Sequence, residues 1–550
     1  MLTNFSNDKS IKLSVTVKSR LEDKYAPADL QQINDKVKGW IEADDKRGIQ
    51  TVHVHVDDTK EMDELGVPAV SGEATAENIK QAIEKLWVSD KFPSPPHYLV
   101  LFGAEDIVPM FPVPNPSYDP NGIDKDPSVP SDNPYATPLD FNPLDPTNSY
   151  LIPQRAIGRI PDMVSDPEGP KHKGDPAWFV RYLDTATKWE SRNKSDYKDP
   201  YAICTAEARF AGNDFMQRTF DDPGLRPFIC PTDSDAVDSP TSRDHLSPGL
   251  HIIKCHGNKG DPTFWGFSVL DQRKKEHPCA AITSASLTAL LKSSAVVASM
   301  CCYGAQIFLP PDPNARSRGE WPVASTYLRN GALGFVGSTM MAWVGLSKMG
   351  AADWLVQGYL KNVLGGDSIG NAFLASKQDY RGHYSMNDDI LAEEEEKTLI
   401  EYILLGDPSI HPVISSQSSP DRRTVQSRWR RRDARERLAA GIRDCLPKRS
   451  DATKDEKDRA KAVFKSAKEE IRKAKQGVTN LRKFGIKATA VQVKRVDAPL
   501  PKSKETRQSL EYYWRGKRDR GGQTQFCVLK TETDRDGNLV PGRTTLTYTS

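Results

Sequence analysis

Two short runs end in residues that can do acyl-transfer chemistry. Leu250-His251-Ile252-Ile253-Lys254-Cys255 leads into His256-Gly257. Forty-six residues beyond the histidine, the run Ala295 to Cys301 leads into Cys302-Tyr303-Gly304. Each pair sits where a strand stops and a loop begins, and in an open α/β sheet the carboxyl ends of strands are where sites form. A free thiol has a pKa of about 8.5, so it needs a neighbouring base to become a nucleophile at neutral pH. An imidazole can take that proton and later return it to a leaving amine. The attacked carbonyl then needs N–H donors aimed at its developing negative charge. The N–H groups of Gly257 and Cys302 are the candidate donors, and a glycine there lets the substrate come close to the backbone. Cys301 and Cys302 are adjacent, so in an extended strand they face opposite ways. Cys302 is favoured as nucleophile, with Cys301 the alternative.

The elements that must hold this pair are read as follows. Strands are expected at Lys12 to Val17, Thr51 to Val56, His97 to Phe102 and Arg155 to Ile160. Helices are expected at Pro27 to Ala43, Ala76 to Trp87 and Ala177 to Arg192. A second series has strands at Tyr201 to Thr205, before His256, before Cys302, at Gly334 to Val336 and at Leu404 to Ile410. Its helices lie at Ala208 to Phe220, Ser284 to Lys292, Trp321 to Asn330, Ala351 to Leu364 and Ser368 to Asp379. Strands alternating with helices imply an α/β fold with a mostly parallel sheet and helices on both faces. Pro112 to Pro146, rich in Pro, Asp and Asn, is read as one long loop. His53 and His55 share a strand face, and with no third ligand nearby they read as a solvated face rather than a metal site.

The 550 residues predict about three or four domains. Eight cysteines without regular spacing do not form a disulfide framework, and no CxxC pair supports structural zinc. The longest apolar stretch, Gly331 to Gly345, is too short to span a membrane and reads as a buried strand and loop. The first residues, Met1 to Asp8, lack a basic and an apolar leader segment, so a cytoplasmic location is expected. From Asp421 onward 35 Lys and Arg stand against 17 Asp and Glu, whereas the residues before it carry 41 against 57. A basic body is therefore joined to an acidic one, and the two can attract each other or different partners. Ser415 to Asp433 reads as a linker. Apolar residues from Ala460 to Leu481 recur at steps of 4 and 3, a narrow helical stripe with lysines and arginines around it. A turn at Asp536-Gly537-Asn538 predicts a hairpin of Gln525–Thr531 with Thr544–Thr549.

Several segments, taken in order, resemble the gingipain-like peptidases of the caspase-like clan. Cys-x-Gly with a histidine about 50 residues upstream is the caspase arrangement. Tyr98 to Pro109 resembles the family's strand followed by Gly-x-x-x-x-Ile-Pro, with Val108 as one extra residue. Ser131-Asp132-Asn133-Pro134-Tyr135, Gly158-Arg159-Ile160-Pro161, Gly331 to Thr339 and Gly406-Asp407-Pro408-Ser409 resemble further family segments. The resemblance covers about residues 98–412. It implies caspase-like αβα sandwiches, here with a basic α+β C-terminal region. The implied divisions are 1–195, a first subdomain; 196–415, a catalytic subdomain; 416–450, a linker; and 451–550, a helix and hairpin region.

By the same resemblance the chain is a cysteine endopeptidase with His256 as general base and acid and Cys302 as nucleophile. The loop from Ser338 through Thr339 to Trp343 would line the S1 pocket. Relatives of gingipain type cut after Arg or Lys, which needs an acid at the pocket base. Asp261 and Asp271 are the nearby candidates, and a third catalytic acid stays open. No cofactor is implied, although the Asp-rich loop Asp140 to Asp145 permits a structural calcium. The implied partner is a protein substrate, cut in a regulated way as in bacterial defence or cell death. The alternative is a nucleic-acid-binding or scaffold protein. There the basic region would contact phosphates, and Trp429, Tyr512, Tyr513 and Trp514 would offer stacking surfaces.

Overall fold

The computed structural model describes residues 9–120, 124–138, 151, 153–166, 171–231, 244–267, 278–291, 294–310, 313–385, 393–414, 459, 461–467, 491–499, 506–520, 523–533, 539 and 545–549. The expected linker, most of the helical stripe from Ala460 to Leu481, Asp140 to Asp145, Asp271 and the 536–538 turn lie outside them.

The first strands are β1 (Ser10–Thr16), β2 (Ile49–His55), β3 (Tyr98–Phe102), β4 (Phe111–Pro114), β5 (Ser128–Ser131) and β6 (Ala156–Ile160). Next come β7 (Tyr201–Thr205), β8 (Phe228–Cys230), β9 (Leu250–Lys254), β10 (Thr263–Gly266), β11 (Cys279–Thr283) and β12 (Val296–Ser299). Then follow β13 (Gly334–Ser338), β14 (Trp343–Gly345) and β15 (Tyr402–Gly406). The last are β16 (Val491–Pro499), β17 (Thr506–Arg520), β18 (Gln523–Thr533) and β19 (Thr545–Thr549).

Ten of these form one sheet in the order β2-β1-β3-β6-β15-β13-β12-β9-β7-β8. Its central strands are buried along their whole length, as the near-continuous apolar runs of β3, β12 and β13 require for a sheet covered on both faces. All neighbours pair in parallel except β13 with β15, which are antiparallel. The sheet is therefore two parallel halves running in opposite directions and joined at that seam. It is an αβα arrangement, and the two expected subdomains share it without a break. A helix row of Pro27–Lys46, Ala177–Lys188 and Val323–Arg329 packs together, as do Ala351–Leu364 and Ile369–Ser385.

The seam is built by the family-like segments. Gly158 lies so close to Gly406 that a Cβ there would run into the Gly406 carbonyl. Arg159, with no solvent exposure, donates to Asp132 Oδ2 at 3.0 Å and Oδ1 at 2.5 Å, and to the carbonyls of Gly103 at 2.8 Å and Val108 at 2.7 Å. Asp407 accepts from Lys12 Nζ at 2.6 Å, Trp40 Nε1 at 2.9 Å and Ser409 Oγ at 2.7 Å. Lys12 also meets Asp44 at 2.5 Å. Lys12 and burial act against each other on the two acids: Asp44 is pushed up to about 6, chiefly by burial, while the Lys12 charge and the Ser409 hydrogen bonds hold Asp407 below its ordinary value.

The stretch read as one loop, Pro112 to Pro146, instead contains the antiparallel pair β4 and β5 and the short 3-10 helix Asn133–Ala136. Prolines sit within this two-stranded pair, where a missing N–H is tolerated at an edge. His53 contacts Ser14 Oγ at 2.9 Å, and burial pushes it down to about 3; His55 contacts Glu61 at 3.0 Å. No cluster of three or more metal-ligating residues occurs among the described residues. No described helix is long and apolar enough to cross a membrane.

The C-terminal strands form a second, antiparallel sheet, β14-β19-β18-β17-β16. The expected hairpin is present as β18 against β19, with Leu529 opposite Leu546. The sheet also recruits β14 from the first body, which sequence patterning did not anticipate.

Replacing Arg159 by Met would leave the buried Asp132 carboxylate and two carbonyls without their donor. Breaking a buried pair in this way costs about 3–5 kcal/mol. Urea unfolding of Arg159→Met against wild type should read a loss in that range.

Candidate active site

The strands that lead to His256 and Cys302, β9 and β12, are parallel neighbours in the sheet. Val296 pairs with Leu250 and Ser299 with Ile253, a constant offset of 46 residues. Met300 N then donates to Ile253 O at 2.7 Å, so the pairing continues past the strand end. Beyond the strand ends Gly257 packs on the backbone of Cys302, which brings the two loops that carry His256 and Cys302 together. Both residues leave at the carboxyl edge of the second half-sheet.

His256 is held from several sides. Its N–H donates to Trp265 O and its carbonyl accepts from Trp265 N, each at 2.8 Å. Its ring meets the Phe267 ring edge-on at 4.7 Å. Its Nε2 lies 3.5 Å from Glu207 Oε2, and both side chains are largely shielded, at 2% and 8% exposure. Glu207 belongs to the 3-10 turn Ala206–Ala208 that follows β7, the strand next to β9. This carboxylate was not singled out in the sequence. The usable signal was an acid within two residues of a strand end, but only the sheet order shows that the strand is the neighbour of β9.

Adjacent Cys301 and Cys302 face different surroundings. Cys301 Sγ points to Ile253 O at 3.9 Å, and its thiol is pushed up to about 12 by burial. Cys302 Sγ accepts from Ala342 N at 3.2 Å and lies 3.7 Å from Ala342 O. Cys302 is 3% exposed, and burial pushes its thiol up to about 12 as well. The Ala342 hydrogen bond works against that rise, and the Glu401 charge adds to it. Gly257 packs on the backbone of Cys302, where a Cβ would run into the Cys302 carbonyl. Among the described residues neither Gly257 N–H nor Cys302 N–H donates to a protein acceptor. Tyr303 turns the chain with φ of 54°, and its N–H donates to Met340 O at 2.7 Å. That bond holds the nucleophile loop against the 338–343 loop.

In that loop Ser338 Oγ donates to Met340 O at 2.7 Å and accepts from Met340 N at 3.1 Å. Thr339 Oγ1 donates to Pro130 O at 2.7 Å, and Thr339 N donates to Glu401 O at 2.9 Å. Trp343 is 1% exposed, and among the described residues its Nε1 has no hydrogen-bond partner. Asp261 stands apart from this loop. Its carboxylate accepts from Trp265 Nε1 at 2.8 Å, Thr263 N at 2.9 Å and Asn258 Nδ2 at 3.1 Å, which fixes the loop after His256.

The acid that does lie under the 338–343 loop is Glu401. It is fully buried, and among the described residues neither carboxylate oxygen finds a hydrogen-bond partner of normal geometry. Burial raises it from an ordinary value of 4.5 to about 8, partly offset by Lys397 at 3.9 Å. Lys397 is itself paired to Asp124 at 2.5 Å. Glu401 just precedes β15, the antiparallel strand, so it arrives at the active edge from the strand's start. A reading that looks only past strand carboxyl ends passes over it.

The family model described as Peptidase family C25 matches residues 26–166. That stretch carries β2 to β6 and the Arg159 cluster; the dyad lies beyond it. A solved structure described as "Structure of Protease" is similar over 96% of this chain and 96% of its own, at 12% identity and a TM-score of 0.48. No curated protein matches the chain. The match supports a cysteine peptidase, and over residues 26–166 the chain is similar to Peptidase family C25, the gingipain family.

Proposed function

We propose that the chain is a cysteine endopeptidase acting through Cys302 and His256. One observation carries this reading: a thiol and an imidazole leave adjacent parallel strands in matched register, with a carboxylate behind the imidazole. His256 takes the Cys302 proton as Sγ bonds to the scissile carbonyl carbon. Gly257 and Cys302 N–H groups, free of protein acceptors, receive the oxyanion. His256 then protonates the amine, the C–N bond breaks and a thioester remains. Water adds to the thioester, giving its proton to His256, and the acid product leaves as the thiol is restored. Glu207 orients the imidazole and stabilises its charged form, the part a carboxylate plays in such triads.

For specificity we propose a P1 Arg or Lys facing Glu401. A buried acid raised to about 8 is largely neutral at pH 7 and would ionise when a cation pairs with it. Limited cleavage of a partner protein, as in defence or cell-death pathways, fits a thiol that is buried in this form.

Digestion of a proteome-derived peptide library, read by mass spectrometry, tests the function. Wild type should cut with one P1 preference, and Cys302→Ala should not cut. Loss in Cys301→Ala alone would move the nucleophile to Cys301, and wild type that never cuts would remove the peptidase reading.

Glu207→Gln should lower kcat about 10²-fold or more with little change in KM, since it acts on the imidazole and not on substrate binding. A change confined to KM would count against that role.

Glu401→Gln should lower kcat/KM for Arg and Lys substrates about tenfold or more, the worth of a lost charge-assisted hydrogen bond. It should also flatten the pH dependence of stability. In the unfolded chain this acid releases its proton near 4.5, but in the folded chain only near 8. Its contribution therefore falls as pH rises through that window, and is undiminished below it. Unfolding measured at pH 5 and pH 8 should show a smaller difference in the variant.

A further inference from the structure

The strand next to the nucleophile is already occupied. Ala342, whose N–H reaches Cys302 Sγ at 3.2 Å, is followed directly by β14. On β14, Trp343 pairs with Thr549, Val344 with Tyr548 and Gly345 with Thr547, antiparallel. β14 is thus the edge member of a sheet whose other strands all come from the basic C-terminal region. Asp353 fixes β14 from the first body by accepting from Gly345 N at 2.8 Å, and Asp353 also pairs with Lys254 at the end of β9 at 2.5 Å. The strand before His256 and the strand after the 338–343 loop are therefore tied to one buried carboxylate.

An edge strand offers a row of N–H and C=O groups, and an extended chain that adds to it is bound through its main chain. Here the added chain is part of the protein itself. The C-terminal sheet is also packed onto the body, with Tyr512 and Leu529 joining the common core. The residues from Asp421 on are in excess basic and those before it in excess acidic, which favours the docked state. In this closed form Cys302 is 3% exposed.

We propose that β19 is an internal cover on the active site: it holds the position on β14 that an extended substrate peptide would take, and the site opens when β19 leaves. The proposal rests on the peptidase reading for its substrate, but the covering of the thiol can be tested without cleavage. Thr549 pairs with β14 and has no partner on β18, so Thr549→Pro weakens that contact selectively; Thr547→Pro weakens it from the middle of the strand. In the full-length chain, the alkylation rate of Cys302 by iodoacetamide is read by peptide mapping, beside library cleavage. Both variants should be alkylated about tenfold faster than wild type, the factor given by one or two lost backbone hydrogen bonds, and cleavage should rise with it. Faster alkylation with no cleavage by any chain would keep the cover and remove the peptidase reading. Unchanged or slower alkylation in variants with wild-type circular dichroism would overturn the cover. If proline disrupts folding, the opposed pair Val344→Cys with Tyr548→Cys, oxidised to a disulfide, decides instead. The cross-linked chain should be alkylated at Cys302 about tenfold more slowly than its reduced form, since the covalent link blocks strand release. Equal rates would overturn the cover.

Discussion

The guanidinium of Arg159 is the constraint on which the rest of the structure depends. It is buried without exposure and reaches one carboxylate and two carbonyls from two separate segments. A buried cation is tolerated only when such partners are complete, so these segments have little freedom to move apart. The neighbouring residue, Gly158, permits β6 to approach β15, the strand at which the other half of the sheet joins. Once β15 is seated there, its antiparallel partner β13 is fixed, and β12 and β9 follow by parallel pairing. The parallel pairing of the strands that lead to His256 and Cys302 is thus tied to the seam.

That seam explains the roles of the recurring sequence segments. Asp132 neutralises Arg159, Gly103 and Val108 supply its carbonyl acceptors, and Asp407 gathers Lys12, Trp40 and Ser409. These are mechanical parts. The neighbouring Ser131 and Asn133 then reach across, donating to the carbonyls of Ile400 and Leu399 at 2.6 and 2.7 Å. They hold the approach to Glu401 and so brace the loop that faces the nucleophile.

What the sequence could reveal follows from the range of the interactions involved. His256 and Cys302 were legible because apolar runs mark strands and both residues sit at run ends. Helices such as Ala351–Leu364 were legible from their own periodicity, and so was the β18–β19 hairpin. Glu207 and Glu401 were not, because each becomes important only through the order and direction of strands distant in the chain. Asp261 was chosen for nearness in sequence, yet the nearest donors, Trp265, Thr263 and Asn258, take up its carboxylate. The hairpin inside the Pro112 to Pro146 stretch was hidden by its prolines, which read as loop in any local pattern. The pairing of β19 with β14 spans about two hundred residues, and no local periodicity encodes such a contact.

Opposed half-sheets have a geometric corollary. Strands of the first half end at the rim where strands of the second half begin. The chain therefore has two loop-bearing rims facing away from each other, and chemistry is assigned to one of them. The far rim, reached by the ends of β1, β2 and β3, is insulated from the thiol by the full length of the strands. Apart from the loop after β3, which supplies the Gly103 and Val108 carbonyls to Arg159, its loops can change length or charge without altering the spacing of the reacting atoms. The fold thereby separates the surface that must stay constant from a surface that is at liberty to diversify.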